Sequence, residues 1–160
     1  VGEIRLRTQL PILRKDFVLD PIQVAEAAAI GADAILLIAR LLSIIQMQEL
    51  HDAADKMRLD VLFEAHDEAD LEKIIQCQPR LVGVNSRNLD TFVVDTDQFV
   101  KLREYIPSGA IAVAESGIES HGQIISAMSH GYTGFLIGES LIKSTDPVAM
   151  LKSLRDGVDS

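Results

Sequence analysis

Cysteine is almost absent from this chain of 160 residues: Cys77 stands alone, so no internal disulfide can form and nothing points to an oxidising compartment. Basic side chains are also scarce, 15 Lys and Arg against 24 Asp and Glu, for a formal net charge of −9. That balance argues against a nucleic-acid backbone as the main partner, because neutralising phosphates needs a surplus of cations on one face. A small anion is not excluded, since backbone N–H groups and a few local cations can hold one whatever the net charge. No apolar run reaches the roughly 18 residues of a membrane helix. The segment AILLIARLLSII is short and interrupted by Arg40 and Ser43. The opening VGEIRLRTQL is charged and amphipathic, unlike a signal peptide, and we expect the protein in the cytoplasm. Its first residue is Val1 rather than Met, from which we expect the chain to begin inside a longer one.

What is present is a repeat. Composition, 48% hydrophobic and 24% charged, suits a soluble domain with its own core. The length suits a single domain, and no linker or low-complexity tract divides it. Six short apolar runs read as strands: PILRK (11–15), AILLI (34–38), DVLFE (60–64), LVGVN (81–85), IAVAE (111–115) and GFLIG (134–138). They are continuous rather than alternating, as in parallel strands covered on both faces. Their last residues recur every 21 to 30 positions, the length of one strand, one helix and two short loops. The segments between them read as helices, for example DPIQVAEAAAIGA with Asp20 as N-cap, Pro21 at the first turn and Gly31 at the end.

Strand and helix alternating six times predict an α/β protein with a parallel sheet, either open and doubly wound or closed as a (β/α)8 barrel. The open sheet usually carries a glycine-rich turn after its first strand, and LRKDFVLDP has none. The barrel gathers its chemistry at the C-terminal ends of its strands. Four of the six runs end on Lys15, Glu64, Asn85 and Glu115, which favours the barrel. Side-chain alternation pairs each last residue with the one two before it, so an apolar layer (Leu13, Leu36, Leu62, Gly83, Val113, Leu136) is expected beneath a polar ring.

A lysine and two carboxylates in a partly desolvated mouth can perform acid and base chemistry. SGI after the fifth run and GES after the sixth, followed by a short helix, predict a phosphate cradle from the N–H groups of Gly117, Gly138 and Glu139. His51, His66, His121 and His130 show no metal-ligand spacing. Asp67 and Glu68 read as helix-start residues, and His66 beside them takes no role in this reading. Cys77 falls late in a helix, without an activating partner.

Taken together, PILRKDF, GADAILLI, VLFEAHDEADLE, GVNSRNLDTF, VAESGI and GFLIGESL resemble the indole-3-glycerol-phosphate synthases of tryptophan biosynthesis, from about residue 10 to about residue 150. The resemblance implies a TIM barrel, here a partial single domain over residues 1–160 holding strands three to eight. It implies a lyase that closes the indole ring of 1-(2-carboxyphenylamino)-1-deoxyribulose 5-phosphate with loss of CO2 and water, using no metal and no organic cofactor. Carried over by motif, Lys15 is the general acid, Glu64 the general base in dehydration, and Asn85 and Arg87 orient the ligand. Glu115 positions lysines and substrate hydroxyls, and Ser116, Gly117, Gly138 and Glu139 bind the phosphate. Leu13, Phe17, Leu36, Ile38 and Leu89 form the apolar pocket for the aryl ring.

The family's first strand carries a further glutamate and lysine that have no counterpart here. We therefore expect this chain alone to be inactive unless the N-terminal segment or a second copy completes it. Other expectations are a non-catalytic phosphate-binding fragment, an oligomerising half-barrel, or an isomerase such as phosphoribosylanthranilate isomerase. The last would use a Cys and an Asp at strand ends, where Cys77 does not fall.

Overall fold

The computed structural model describes residues 1–88 and 91–157. The chain forms two compact units, Val1–Val82 and the residues from Gly83 onward. All six expected strands form, each followed by helix, which makes the protein α/β.

The first unit opens on a single helical turn, α1 (Gly2–Arg5), followed by β1 (Leu13–Arg14). We expected five residues in β1, and two form. Pro11 has no N–H to give a ladder, and Ile12 N–H donates to the Asp33 carboxylate at 2.7 Å, while past the strand Phe17 N–H turns back to Asp16 at 2.9 Å. Lys15 consequently stands just past the strand. Next come α2 (Pro21–Ala29), β2 (Ala34–Ile38), α3 (Ile44–Lys56), β3 (Asp60–Ala65) and α4 (Glu68–Ile75).

The helix starts follow from side chains. Asp20 with Gln23 and Ser43 with Gln46 form reciprocal capping boxes, and Asp67 accepts from Asp70 N–H at 2.9 Å. Pro21 adds a pre-set φ where no donor is needed. β1, β2 and β3 are parallel neighbours, with Leu36 opposite Leu62 and Ile38 opposite Glu64. Ile35, Leu36, Leu37 and Phe63 are buried, Leu36 on the opposite face of the strands from the other three. Each such side chain contributes roughly 1.5–3 kcal/mol, and together they make the strands rigid supports.

β4 (Leu81–Asn85) begins in the first unit and continues into the second. There it is followed by α5 (Asp97–Arg103), β5 (Ile111–Glu115), α6 (His121–Ser129), β6 (Gly134–Leu136), α7 (Glu139–Lys143) and α8 (Pro147–Asp156). β4, β5 and β6 are neighbours in that order, and β5 pairs with β6 in parallel, Glu115 opposite Leu136. β6 is two residues shorter than expected because Gly138 already serves as N-cap of α7. Tyr132 fills this unit's core, its hydroxyl donating to Phe99 O at 2.9 Å while burial pushes its phenol well above the usual value.

Cys77 lies in the turn after α4 rather than within a helix. It is buried, and that burial, with the Asp52 carboxylate nearby, pushes its thiol up. Among the described residues no helix is long and apolar enough to cross a membrane.

Candidate functional site

In the first unit a line of charged groups starts at the end of β3. Strand pairing and burial hold the Glu64 backbone, and its side chain is 1% exposed. Glu64 Oε2 faces Lys15 Nζ at 3.8 Å, with no hydrogen-bond partner of its own. Lys15 is half exposed, so one end of this pair meets solvent and the other does not. An ammonium beside a desolvated carboxylate can exchange protons with a ligand held between them.

Behind Glu64 stands His66, with Nε2 3.3 Å from Glu64 Oε1 and Nδ1 3.7 Å from Asp70 Oδ2. Asp70, on the first turn of α4, also accepts the His66 backbone N–H at 3.1 Å and lies 3.5 Å from Lys73 Nζ. Burial alone would raise the Asp70 carboxyl. The His66 ring and backbone N–H, with the charge of Lys73, outweigh it and hold the group below its usual value. At 3.7 Å the ring contact is too long for a formed hydrogen bond, so we ascribe its share to the nearness of the ring.

Sequence reasoning missed His66 and Asp70. The signal was available: residues 64 and 66 lie two apart at a strand end, which puts them on one face. Asp67 and Glu68 are indeed helix-start residues, but His66 precedes them.

The apolar candidates of this unit divide. Leu36 is buried, and Ile38 stands opposite Glu64 in register. Leu13 is half-buried, whereas Phe17 is exposed on the loop after β1.

In the second unit the turns after β4, β5 and β6 are tied together. Asn85 Oδ1 accepts from Arg87 N–H at 3.0 Å, an Asx turn that aims the arginine. Ser86 N–H donates to Glu115 O at 3.0 Å, and Ser86 Oγ to Ser116 O at 3.2 Å. Ser140 Oγ donates to Ile118 O at 3.0 Å, joining the start of α7 to the turn after β5. The Arg87 guanidinium donates to the Glu139 carboxylate and to Phe92 O. Glu139 also accepts from Lys143, and that hydrogen bond, with the Arg87 charge, holds its carboxyl below the usual range. Glu115 is 1% exposed.

Both residues of the turn after β5 have positive φ, Ser116 at 67° and Gly117 at 69°. The side of Gly117 where a Cβ would point is filled by Val94, Thr96 and Ser86, while the same direction at Gly138 is open. The two candidate phosphate turns therefore differ in packing. Leu89 lies outside the described residues. Among the described residues no group of three His, Cys, Asp or Glu side chains could hold a metal ion.

Solved structures with this chain path include a mandelate oxidase mutant (TM-score 0.73, 14% identity, 97% of this chain and 57% of that one). Another is KGPDC from Streptococcus mutans (TM-score 0.75, 13% identity, 97% and 75%). At such identities they speak to the fold alone, α/β and TIM-like.

Sequence relatives are much nearer. The chain is 46% identical over 146 residues to the indole-3-glycerol phosphate synthase of Koribacter versatilis, covering 91% of this chain and 56% of that protein. Against indole-3-glycerol phosphate synthase 2 of Ralstonia nicotianae it is 48% identical over 135 residues, 84% of this chain and 50% of that one. The chain thus spans about half the length of these relatives. A family model, indole-3-glycerol phosphate synthase, matches residues 1–154. The chain belongs to the indole-3-glycerol phosphate synthase family.

Proposed function

We propose that this chain supplies the catalytic acid and base of an indole-3-glycerol-phosphate synthase, a carboxy-lyase acting on 1-(2-carboxyphenylamino)-1-deoxyribulose 5-phosphate. The observation that carries the proposal is the Lys15–Glu64 pair, an exposed ammonium 3.8 Å from a buried carboxylate. Lys15 donates a proton to the substrate carbonyl as the aryl carbon attacks it. CO2 leaves from that carbon, and Lys15, reprotonated from solvent at its exposed end, gives the second proton with which the hydroxyl leaves as water. Glu64 removes the ring proton that restores aromaticity. A donor and a base a few ångströms apart suit a reaction that needs both within one turnover.

The binding roles follow the resemblance. Leu13, Phe17, Leu36, Ile38 and Leu89 contact the aryl ring, while Asn85, Arg87 and Glu115 orient the hydroxylated chain. Ser116, Gly117, Gly138 and Glu139 take the phosphate. The six βα units correspond to the third to eighth of a barrel, and the remainder of the relatives' length supplies the first-strand glutamate and lysine. The reaction runs in the cytoplasm without metal or organic cofactor.

The test is fluorescence detection of indole-3-glycerol phosphate. This chain is assayed alone and behind the N-terminal portion of the Koribacter versatilis synthase. Turnover is expected only in the joined protein, and its loss in Lys15→Met and Glu64→Gln. A folded joined protein that binds inorganic phosphate but never turns over would favour a non-catalytic phosphate-binding role.

A further inference from the structure

His66 takes no part in the reaction as proposed, yet its side chain is 3% exposed and lies between the carboxylates of Glu64 and Asp70. A purely structural role fits poorly. The tie between the end of β3 and α4 is made by the His66 backbone N–H on Asp70 Oδ2, at 3.1 Å, which any residue here could make. The start of α4 is capped by Asp67. The ring adds nothing to either bond, and neither of its nitrogens completes a hydrogen bond in this geometry. An apolar side chain of similar size would fill the space without burying two polar atoms. Both nitrogens instead face carboxylate oxygens, acceptors to which a ring N–H is what the imidazole can offer.

The two oxygens of Glu64 are therefore distinguished. Oε1 faces His66 Nε2 at 3.3 Å, and Oε2 faces Lys15 Nζ at 3.8 Å. We propose that His66 is a positioning residue for Glu64: it holds Oε1 so that Oε2 stays turned toward Lys15 and the ligand, and Asp70 fixes the ring from its other side. The proposal rests on Glu64 being the base. A carboxylate held by one oxygen presents the other in a fixed direction, and losing such placement by about 1 Å can cost on the order of a hundredfold in rate. Lys73, 3.5 Å from Asp70 and donating to Ala39 O at 2.6 Å, extends the same support to the loop after β2.

The test is steady-state kinetics of the joined synthase described above. His66→Leu is expected to lower kcat at least tenfold and leave KM within about twofold, because the ring touches the base and not the ligand. His66→Gln, which restores an N–H donor, is expected to recover part of kcat, and Asp70→Asn to give a smaller loss in the same sense. Normal kcat in His66→Leu, with Glu64→Gln inactive, overturns the positioning role and leaves the base assignment standing. Full activity in Glu64→Gln overturns the base assignment, and this proposal with it. If His66→Leu does not fold, unchanged kcat in both His66→Gln and Asp70→Asn overturns the proposal.

Discussion

The Glu115 carboxylate lies across the backbone of Gly83: a Cβ at residue 83 would stand 1.9 Å from Oε1 and 2.9 Å from Cδ of that side chain. The glycine in β4 is the space that the carboxylate of β5 occupies. This explains LVGVN, where a glycine in a buried strand otherwise weakens it.

Gly83→Ala should therefore displace Glu115 and destabilise the protein by about 1–3 kcal/mol, the usual cost of overpacking. In a Glu115→Ala background the same change should cost much less, because the obstructing atoms are gone. Urea denaturation of the four proteins measures both effects. Equal costs in the two backgrounds would show that Gly83 matters for another reason.

Ser116 holds φ of 67° without being glycine, on the turn to which we assign the phosphate. A left-handed conformation costs a residue with a Cβ roughly 1–2 kcal/mol, and such strain tends to persist where function keeps the side chain. Ser116→Gly should raise the unfolding free energy by about 1 kcal/mol and weaken substrate binding, seen as a higher KM. Greater stability with unchanged KM would remove Ser116 from the binding role.

Asp70 gives the chain a pH signature. Its carboxyl titrates below the unfolded value of about 3.9. The unfolded chain therefore binds more protons at this site as acid is added. The resulting stability is fully present above about pH 4 and lost as pH falls through the folded value. Asp70→Asn should be less stable than the parent at pH 7, with the gap closing in acid. Parallel curves of unfolding free energy against pH would contradict this.

How far the sequence could be read differs by element. AILLI, LVGVN and IAVAE form strands with the expected bounds, because short, mostly apolar runs between turn signals suit parallel strands covered on both faces. The first run begins two residues late, at Leu13: Pro11 has no N–H, and the Ile12 N–H goes to Asp33, a competing hydrogen bond that leaves no trace in a hydrophobic pattern. In the site, Lys15 and Glu64 were legible as strand-end charges, and the structure brings them together. His66 was legible only by its place two residues after Glu64, since the second carboxylate beside it, Asp70, comes from the next helix. Glu139 was read for its backbone, whereas its carboxylate proves to occupy Arg87 and Lys143.

The Glu139 carboxylate takes up two cations at the turn where we place the ligand's phosphate, so the two anions compete for the same partners. Glu139→Gln keeps the backbone and the start of α7 but releases the charges of Arg87 and Lys143. Calorimetric titration with inorganic phosphate should show severalfold tighter binding in the variant, most evident at low ionic strength, because Lys143 is exposed, Arg87 only part-buried, and salt screens both. Arg87→Ala added to Glu139→Gln should cancel the gain. Were the gain absent, Glu139 would not be competing with the ligand, and the phosphate assignment would rest on the turn after β5. Were Glu139→Gln to bind more weakly, the carboxylate would be acting by holding Arg87 in place.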